Sequence, residues 1–358
     1  MNRILIVNPF GIGDVIFSLY IAEAIKQKHP SVELDFLCNE RAKDLVAMDS
    51  SIKETQEFNR DSLRALRLKS TLSFLNEYRA MIGRWKQKKY DAMLDYSLGR
   101  EFSFLGYLAG IPKRVGFDYK RRGFFLNQKI RFQGYEGKSV AQRQLELLDF
   151  LEIEKRAGDK PLPLNISPEN QKRAALFFQH EIFENKNQFM AVAPGGGKSW
   201  GQNAIYKQWD LEKFAECAND WCAESDKRGI FLTGDEADKP LLESVRRLLR
   251  FPVKIVCGQP LGVVAAIFKK AQFFLGNDGG LVHLAHALGV PTVSVFGPVD
   301  ATVYGPYGHH TPFKTMTTNV PCRPCYHQFH FPPCPYERRC LTELSAKKVS
   351  EAIKTLFN

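Results

Sequence analysis

The sequence has no long hydrophobic run and no visible secretory leader. Of its 358 residues 44% are hydrophobic, but none of the apolar runs approaches the roughly 20 residues that span a bilayer. Met1-Asn2-Arg3 leads into a short apolar stretch and a glycine-containing loop, a pattern that predicts a first strand and not a signal peptide. These absences argue against a helical membrane protein, and we expect a cytoplasmic one.

Complete nucleotide-binding fingerprints are also missing. Gly11-Ile12-Gly13-Asp14 begins like a dinucleotide-binding G-x-G-x-x-G loop, but Ile16 occupies the third glycine position. Gly197-Lys198-Ser199 would end a P-loop only if position 192 were glycine, and that residue is Val192. An NAD-linked dehydrogenase and a P-loop nucleotidase are therefore both disfavoured.

The basic residues are concentrated in one segment. The chain carries 50 Lys and Arg against 39 Asp and Glu, a net charge of +11. Residues 60–131 alone hold 17 basic and 6 acidic residues, so 17 − 6 = +11 and the rest is neutral on balance. Such a segment suits nucleic acid, an anionic membrane face or a phosphorylated substrate, or is simply a solvated face. The interleaving of aromatic and basic residues typical of RNA binding is absent, which argues against nucleic acid.

Alternating strands and helices predict two doubly wound α/β domains. In the first half, the apolar run 3–7, a helix and a second run at 32–37 form a βαβ unit with parallel strands. The second half contains five strand-like runs, at 189–193, 230–233, 253–256, 273–275 and 292–296. The Pro-rich segment 158–164 is the best candidate linker. The expected domains are 1–165 and 166–340, with a final helix in 341–358.

A strand followed by two glycines and a helix marks the first candidate site. In Gly276-Asn277-Asp278-Gly279-Gly280-Leu281-Val282-His283, glycines at the helix start would let backbone N–H groups approach a diphosphate. Asp278 stands where a helix N-cap is expected, and His283 lies about one turn into the helix. An ordinary capped helix with a core histidine is the alternative for this motif taken alone.

Two other loops carry residues suited to chemistry. Ala193-Pro194-Gly195-Gly196-Gly197 follows a strand and precedes Lys198, Lys207 and Trp209, a pattern that suits phosphate binding by backbone and ammonium groups. A flexible surface loop is the alternative there. Asp14 is either a helix cap or a general base placed at the carboxyl end of a strand.

Several segments, in the same order along the chain, resemble glycosyltransferase family 9, the ADP-heptose:lipopolysaccharide heptosyltransferases. The matching segments are Arg3-Ile4-Leu5-Ile6-Val7 with Gly13-Asp14, Pro194-Gly195 through Lys207-Gln208-Trp209, Leu232-Thr233-Gly234-Asp235-Glu236, Asn277 to Ala287, Val295-Phe296-Gly297-Pro298-Val299-Asp300, and Cys322-x-x-Cys325 with Cys340-Leu341. Together they extend over nearly the full chain.

The resemblance implies a GT-B fold, in which two Rossmann-like doubly wound domains face a central cleft. The N-terminal domain would receive the acceptor, the C-terminal domain would hold the nucleotide sugar, and the final helix would pack back on the N-terminal domain. The implied activity is inverting transfer of a heptose from ADP-heptose to a lipopolysaccharide or lipooligosaccharide core acceptor. No metal or other cofactor is implied. Such an enzyme would be cytoplasmic and peripherally associated with the inner face of the cytoplasmic membrane.

The resemblance also assigns roles to individual residues. Asp14 matches the catalytic base that takes the proton of the acceptor hydroxyl, and Lys207 matches the lysine that stabilises the leaving diphosphate. The other donor-site matches are the phosphate-binding backbone of Gly279, Gly280 and Leu281 and the donor-placing side chains of Asp278 and His283.

Some donor-site positions fit the family less closely. Glu236 is a looser match to an acidic residue that binds the nucleotide sugar, with Asp238 as the alternative. Gly195 and Gly196 replace hydroxyl residues of well-known members, so backbone donors remain but any hydroxyl contact is lost. Two alternatives therefore stay open: a family 9 transferase for another nucleotide sugar or acceptor, and, with less support, a non-catalytic sugar-nucleotide-binding protein.

On the acceptor side, the resemblance gives the basic segment a purpose. The inner core of lipopolysaccharide carries phosphates and acidic sugars, and a phosphorylated glycolipid acceptor needs cations. We expect acceptor contacts at Gly13, beside the proposed base, and at Lys120, Arg121 and Arg122. The same cations could instead lie against anionic lipid.

Four of the eight cysteines cluster near the C-terminus. Cys322, Cys325, Cys334 and Cys340 follow a Cys-x2-Cys-x8-Cys-x5-Cys pattern, in which one pair has metal-like spacing and the rest is looser than a zinc ribbon. Packing thiols, a bound zinc and a disulfide or redox pair all remain open, although a cytoplasmic location argues against disulfides.

Overall fold

The computed structural model describes residues 1–356, apart from the side chains of residues 60, 61, 64, 198–200 and 202. The chain divides into two compact units, Met1–Ala157 and Gly158–Asn358. Within the described part of the chain, no helix combines the length and the apolar character needed to cross a membrane.

The first unit is a six-stranded parallel sheet with helices. Its strands are Arg3–Asn8 (β1), Glu33–Asn39 (β2), Glu54–Phe58 (β3), Ala92–Asp95 (β4), Lys113–Tyr119 (β5) and Gln128–Phe132 (β6). Its helices are Ile12–Lys28 (α1), Lys43–Met48 (α2), Arg60–Lys69 (α3), Thr71–Lys88 (α4), Glu101–Leu108 (α5) and Val140–Leu145 (α6). Short 3₁₀ segments span Glu40–Ala42 and Glu146–Leu151.

The strand order β3-β2-β1-β4-β5-β6 places β1 in the middle of the first sheet. Ile6 pairs in parallel register with Phe36 on one side and with Leu94 on the other. The chain builds outward from β1 in one direction and then crosses to β4, so a topological switch point lies between these two strands. One face of the sheet packs against the helices through Trp85, which is fully buried, and Phe102.

The second unit repeats this plan. Its strands are Gln188–Ala193 (β7), Arg228–Gly234 (β8), Val253–Cys257 (β9), Phe273–Asn277 (β10), Thr292–Val295 (β11) and Phe313–Met316 (β12). Its helices are Pro168–Phe178 (α7), Leu211–Ala223 (α8), Lys239–Leu248 (α9), Leu261–Phe268 (α10), Gly280–Ala287 (α11), Ala301–Tyr304 (α12), Arg339–Thr342 (α13) and Ala346–Lys354 (α14). Its 3₁₀ segments are Glu181–Phe183, Lys198–Lys207 and Glu236–Asp238.

The second sheet has the order β12-β11-β10-β7-β8-β9, and all its pairs are parallel. Its switch point lies between β7 and β10. The prediction of two doubly wound α/β domains is therefore confirmed. The sixth strand, β12, is not among the five strand-like runs predicted for this half of the chain.

The start of the second unit lies earlier than the expected boundary after residue 165. Leu162 donates its N–H to the carbonyl of Ala287, and His309 donates to the carbonyl of Gly158. The Pro-rich segment 158–164 is therefore tied to α11 and to the loop before β12, which explains why the unit begins at Gly158.

The terminal helix α14 belongs to the second unit. Its apolar face, with Val349 and Ile353, is buried in the same core as Trp221 of α8. Cys217 and Ser350 reinforce the contact, since Cys217 Sγ donates to the carbonyl of Ala346 and Ser350 Oγ donates to Asp220. The resemblance implies that the final helix packs back on the N-terminal domain; within its own unit, its apolar face is buried against α8.

Candidate active site

The carboxyl edge of the second sheet gathers most of the predicted donor residues. The loops that follow β7, β8 and β10 all leave this edge, because the three strands are parallel and adjacent. They carry Gly195 and Gly196, Glu236, and Asp278 with the glycines of α11, respectively. Ligands of doubly wound sheets bind at this edge beside the switch point. The arrangement is that of a ligand site.

Asn277, at the end of β10, joins the two loops at the switch point. Its side-chain amide donates to the carbonyl of Pro194 at 2.7 Å and accepts from the N–H of Trp209 at 3.0 Å. The residue is 3% exposed. Asn277 belongs to the glycine-containing motif, but the motif alone assigns it no role. Its position between an apolar strand and Asp-Gly-Gly was the available signal.

The glycine loop after β7 leaves little space for side chains. A Cβ at Gly196 would lie 2.4 Å from the carbonyl oxygen of Ala204, so only glycine fits without moving the backbone. A Cβ at Gly195 would meet the Asp238 carboxylate at 2.9 Å. Gly197 has a φ of +72°, a left-handed conformation that glycine adopts without strain. The side chain of Lys198, another suggested phosphate contact, lies outside the described residues.

Lys207 and Asp278 form a buried ion pair at this edge. Lys207 Nζ lies 2.7 Å from Asp278 Oδ2, and the two side chains are only 8% and 7% exposed. Asp278 is therefore not the N-cap of α11, as the sequence suggested. Gly279 occupies the N-cap position and has no side chain to form a cap bond, while the carboxylate of Asp278 is turned to the lysine.

The first turn of α11 presents backbone to the same place. Gly279, Gly280 and Leu281 are half-buried, and the first N–H groups of a helix have no partner within the helix. His283 follows and is buried. Burial, and secondarily the charge of Lys207, lower the pKa of His283 to about 3, so its imidazole is neutral at physiological pH. The site therefore combines one ammonium, one carboxylate and a neutral imidazole.

The two acidic candidates after β8 have different surroundings. Asp238 accepts the N–H of Asp235 at 3.0 Å in a capping box, and its carboxylate lies against Gly195 and Gly234. This side chain holds the loop in shape. Glu236 is 72% exposed in its side chain and has Lys239 at 4.0 Å. Glu236 is therefore the better placed of the two to contact a ligand.

Asp14 lies in the first turn of α1, at the switch point of the first sheet. Gly11 is the N-cap of that helix, so the capping alternative for Asp14 does not hold. The side chain of Asn8, buried at the end of β1, donates to the carbonyl of Asp14 at 2.9 Å and fixes the turn. Asp14 is half-buried and lies near Tyr135, whose pKa is raised by burial and then by this carboxylate. Asn8 was missed because a polar residue ending a strand gives no specific signal.

The remaining acceptor-side candidates are also in the first unit. Gly13 is the second residue of α1. Lys120, Arg121 and Arg122, which we call the basic turn, follow β5 and are all exposed. Lys120 and Arg121 have φ of +49° and +57°, and the cations of Lys120 and Arg122 lie 5.1 and 5.9 Å from the ring centre of Tyr119.

The C-terminal cysteines line one small cavity. Cys322, Cys325, Cys334 and Cys340 surround a volume of about 110 Å³, and each is a free thiol. Burial is the main cause that raises the pKa of Cys325, and it raises that of Cys340 to about 11. Among the described residues no three His, Cys, Asp or Glu side chains are arranged to hold a metal ion.

Comparison with known proteins bears on the family. The model for glycosyltransferase family 9 (heptosyltransferase) matches residues 78–331. The lipooligosaccharide heptosyltransferase 2 of Haemophilus influenzae is 21% identical over 307 residues, which cover 83% of this chain and 84% of the relative.

Solved structures bear on the fold. A family 9 glycosyl transferase from Veillonella parvula superposes with a TM-score of 0.79 at 19% identity, over 99% of this chain and 97% of its own. The ADP-heptose LPS heptosyltransferase II of E. coli gives a TM-score of 0.75 at 17% identity, over 99% and 98%. The expected GT-B fold of two Rossmann-like domains is confirmed.

Proposed function

The chain belongs to glycosyltransferase family 9, and on that premise we propose that it transfers a heptose from ADP-heptose to a lipopolysaccharide or lipooligosaccharide core acceptor. The proposal draws on relatives such as the H. influenzae heptosyltransferase and the E. coli enzyme, whose name specifies ADP-heptose. Transfer proceeds with inversion at the anomeric carbon and uses no metal or other cofactor.

The buried Lys207–Asp278 pair at the head of α11 is the observation that carries the proposal. As the bond between the anomeric carbon and the diphosphate breaks, negative charge grows on the leaving oxygen. An ammonium already held in a site of low dielectric stabilises that charge without reorganisation. The N–H groups of Gly279, Gly280 and Leu281 bind the phosphates, and neutral His283 adds a hydrogen-bonding group with no repelling charge.

Asp14 supplies the base on the acceptor side. Its carboxylate takes the proton of the attacking hydroxyl while the oxygen forms its bond to the anomeric carbon. The Asn8 contact fixes the backbone that carries it. Gly13 leaves room for the acceptor beside the base, and the basic turn binds the acceptor's phosphates or acidic sugars.

The acceptor also determines where the enzyme works. A lipid-linked acceptor is presented at the cytoplasmic membrane, so we place the enzyme in the cytoplasm, peripherally associated with the inner face. The basic turn supports this because anionic lipid attracts exposed Lys and Arg.

A panel of nucleotide sugars tests the donor assignment. We expect transfer or donor hydrolysis with ADP-heptose and binding of ADP in calorimetry. Binding of a different nucleotide, with no binding of ADP or ADP-heptose, would contradict it. Gly195 and Gly196 make another nucleotide sugar the second candidate, since this loop offers backbone donors without hydroxyl groups.

A further inference from the structure

An exposed aromatic cluster lies on the first unit, outside the sites described above. Phe124 is 77% exposed, Tyr107 54% and Phe104 40%. All three surround Phe125, with ring centres 5.1, 5.8 and 4.8 Å from its own. We call Phe104, Tyr107, Phe124 and Phe125 the aromatic patch. A contiguous exposed apolar patch often marks a site of interaction with a protein or a membrane, whereas single exposed apolar residues are ordinary.

The patch is held in place by its neighbours. Arg114 donates from Nε to the carbonyl of Phe125 at 2.8 Å, and its guanidinium lies 5.5 Å from the ring centre of Tyr107. This one side chain therefore ties α5 to the segment that follows β5. The rings are presented by a fixed surface.

The basic turn adjoins the patch in the chain. Arg122 is separated from Phe124 by Gly123 alone, and the N–H of Gly123 is bound by the Asp118 carboxylate at 2.8 Å, which closes the turn. Exposed rings bordered by exposed cations match the two components of a bilayer surface, because rings enter the interfacial layer while Lys and Arg meet lipid phosphates.

We propose that the aromatic patch and the basic turn together form the surface by which this protein docks on an anionic bilayer, with the rings inserted among the headgroups. Charge complementarity favours this occupant over a second copy of the chain, since a two-fold contact through this surface would bring like charges together. Apolar insertion and electrostatic attraction are two signals, and stable anchoring at a membrane takes two, because one alone gives only marginal binding. The docking purpose rests on the proposed function, but the surface itself does not.

Vesicle sedimentation with the full-length protein tests the docking surface. We expect binding to mixed phosphatidylcholine–phosphatidylglycerol vesicles that exceeds binding to pure phosphatidylcholine and weakens with salt. The Tyr107→Ser/Phe124→Ser variant should bind the mixed vesicles about tenfold more weakly. The Lys120→Gln/Arg121→Gln/Arg122→Gln variant should lose the preference for anionic lipid.

A matched control is Leu176→Ser on α7 of the second unit, which removes a side chain that is 65% exposed and should leave vesicle binding unchanged. The proposal would be overturned if the parental protein did not bind the mixed vesicles. It would also be overturned if the Tyr107→Ser/Phe124→Ser variant bound them as strongly as the parental protein. Equal loss in the Leu176→Ser control would also overturn it.

A second readout separates this surface from the enzyme activity. On a water-soluble, delipidated acceptor the Tyr107→Ser/Phe124→Ser variant should keep the parental turnover, while on acceptor embedded in vesicles its turnover should fall with its binding. If neither the parental protein nor the variants use ADP-heptose, but vesicle binding still depends on the aromatic patch, the proposed function fails and the docking surface stands. If transfer is normal but the Tyr107→Ser/Phe124→Ser variant binds vesicles as strongly as the parental protein, the docking surface fails and the proposed function stands.

Discussion

The two units share one architecture but differ sharply at their switch points. In the second unit, β7 and β10 flank a buried ion pair, a neutral histidine and glycines that tolerate no side chain. In the first unit, β1 and β4 flank a half-buried carboxylate, Asp14, and the same unit carries an exposed basic turn. On the proposed function, one fold serves a compact ligand with preset charges in one unit and a large ligand with an open, cationic surface in the other. Four predictions test this assignment of the two ligands to different units.

The largest effect is expected from Asp14→Asn. The amide keeps the shape of the side chain but cannot accept the proton, so transfer should fall about a thousandfold. ADP binding, measured by calorimetry, should stay at the parental value because the donor site lies in the other unit. Asp44→Asn, at an exposed acid in α2, is the control and should leave both transfer and ADP binding unchanged. Full transfer by Asp14→Asn would show that Asp14 is not the catalytic base.

Lys207→Met should lower turnover about a hundredfold, because the leaving diphosphate loses its ammonium. It also leaves Asp278 buried without its partner, which should reduce the free energy of unfolding by about 3 kcal/mol. The paired variant Lys207→Met/Asp278→Leu separates these effects. Urea unfolding should show much of the stability restored, while the transfer assay should show no recovery. If activity returned together with stability, the lysine would be structural only.

Of the two substrates, the basic turn should affect only the acceptor. Lys120→Gln/Arg121→Gln/Arg122→Gln should raise the KM for a phosphorylated acceptor about tenfold, the loss expected from a few exposed charge-assisted contacts. The KM for the donor should not change. Lys269→Gln/Lys270→Gln, at exposed lysines after α10, is the matched control. A change in donor KM would break the assignment of the two ligands to different units.

The smallest effect is a pH response of opposite sign in the two units. Burial raises the pKa of Asp49 and Asp95 in the first unit to about 6, and lowers the pKa of His283 and His286 in the second to about 3. As pH falls through 6, the folded first unit takes up protons before its unfolded chain does, whose aspartates titrate near 3.8, and gains stability. As pH falls below 6.5, the unfolded second unit takes up protons first and its folded state loses stability.

Each of these groups should contribute about 1 kcal/mol between pH 7 and pH 5.5. Urea unfolding with proteolysis can follow each unit by its own fragments. Asp95→Asn should remove about half of the response of the first unit and leave that of the second unchanged, and His286→Gln should do the reverse. If the stability of both units changed in the same direction as pH falls, the predicted contrast between them would be wrong.

Much of the fold could be predicted from local patterns. The apolar runs around β1, β2 and β7 to β11 gave the alternation of strands and helices, and the strand–glycine–helix motif at Asp278-Gly279-Gly280 correctly located the loop at the switch point. These features are local in sequence, so periodicity and glycine placement are sufficient to detect them. The short strand β12 was missed because four residues within a Pro-rich stretch show no clear alternation.

The site chemistry was harder to predict because it depends on contacts distant in sequence. Asp278 was expected to cap α11 by local rules, but its partner Lys207 lies on a different loop. The same reason applies to Asn277, which holds Pro194 and Trp209, and to α14, whose apolar face could have packed on either unit. Local patterns show that such a face exists and do not show where it binds.

On the proposed function, the Lys207–Asp278 pair has a consequence for the catalytic cycle as a whole. Before the donor arrives, the ammonium already has a counter-ion, and after the nucleotide departs the same carboxylate is there to take its place. Asp278 is in this sense a resident competitor of the product. We therefore expect it to weaken ADP retention and to speed product release, so that turnover is not limited by an ammonium that binds its leaving group too well.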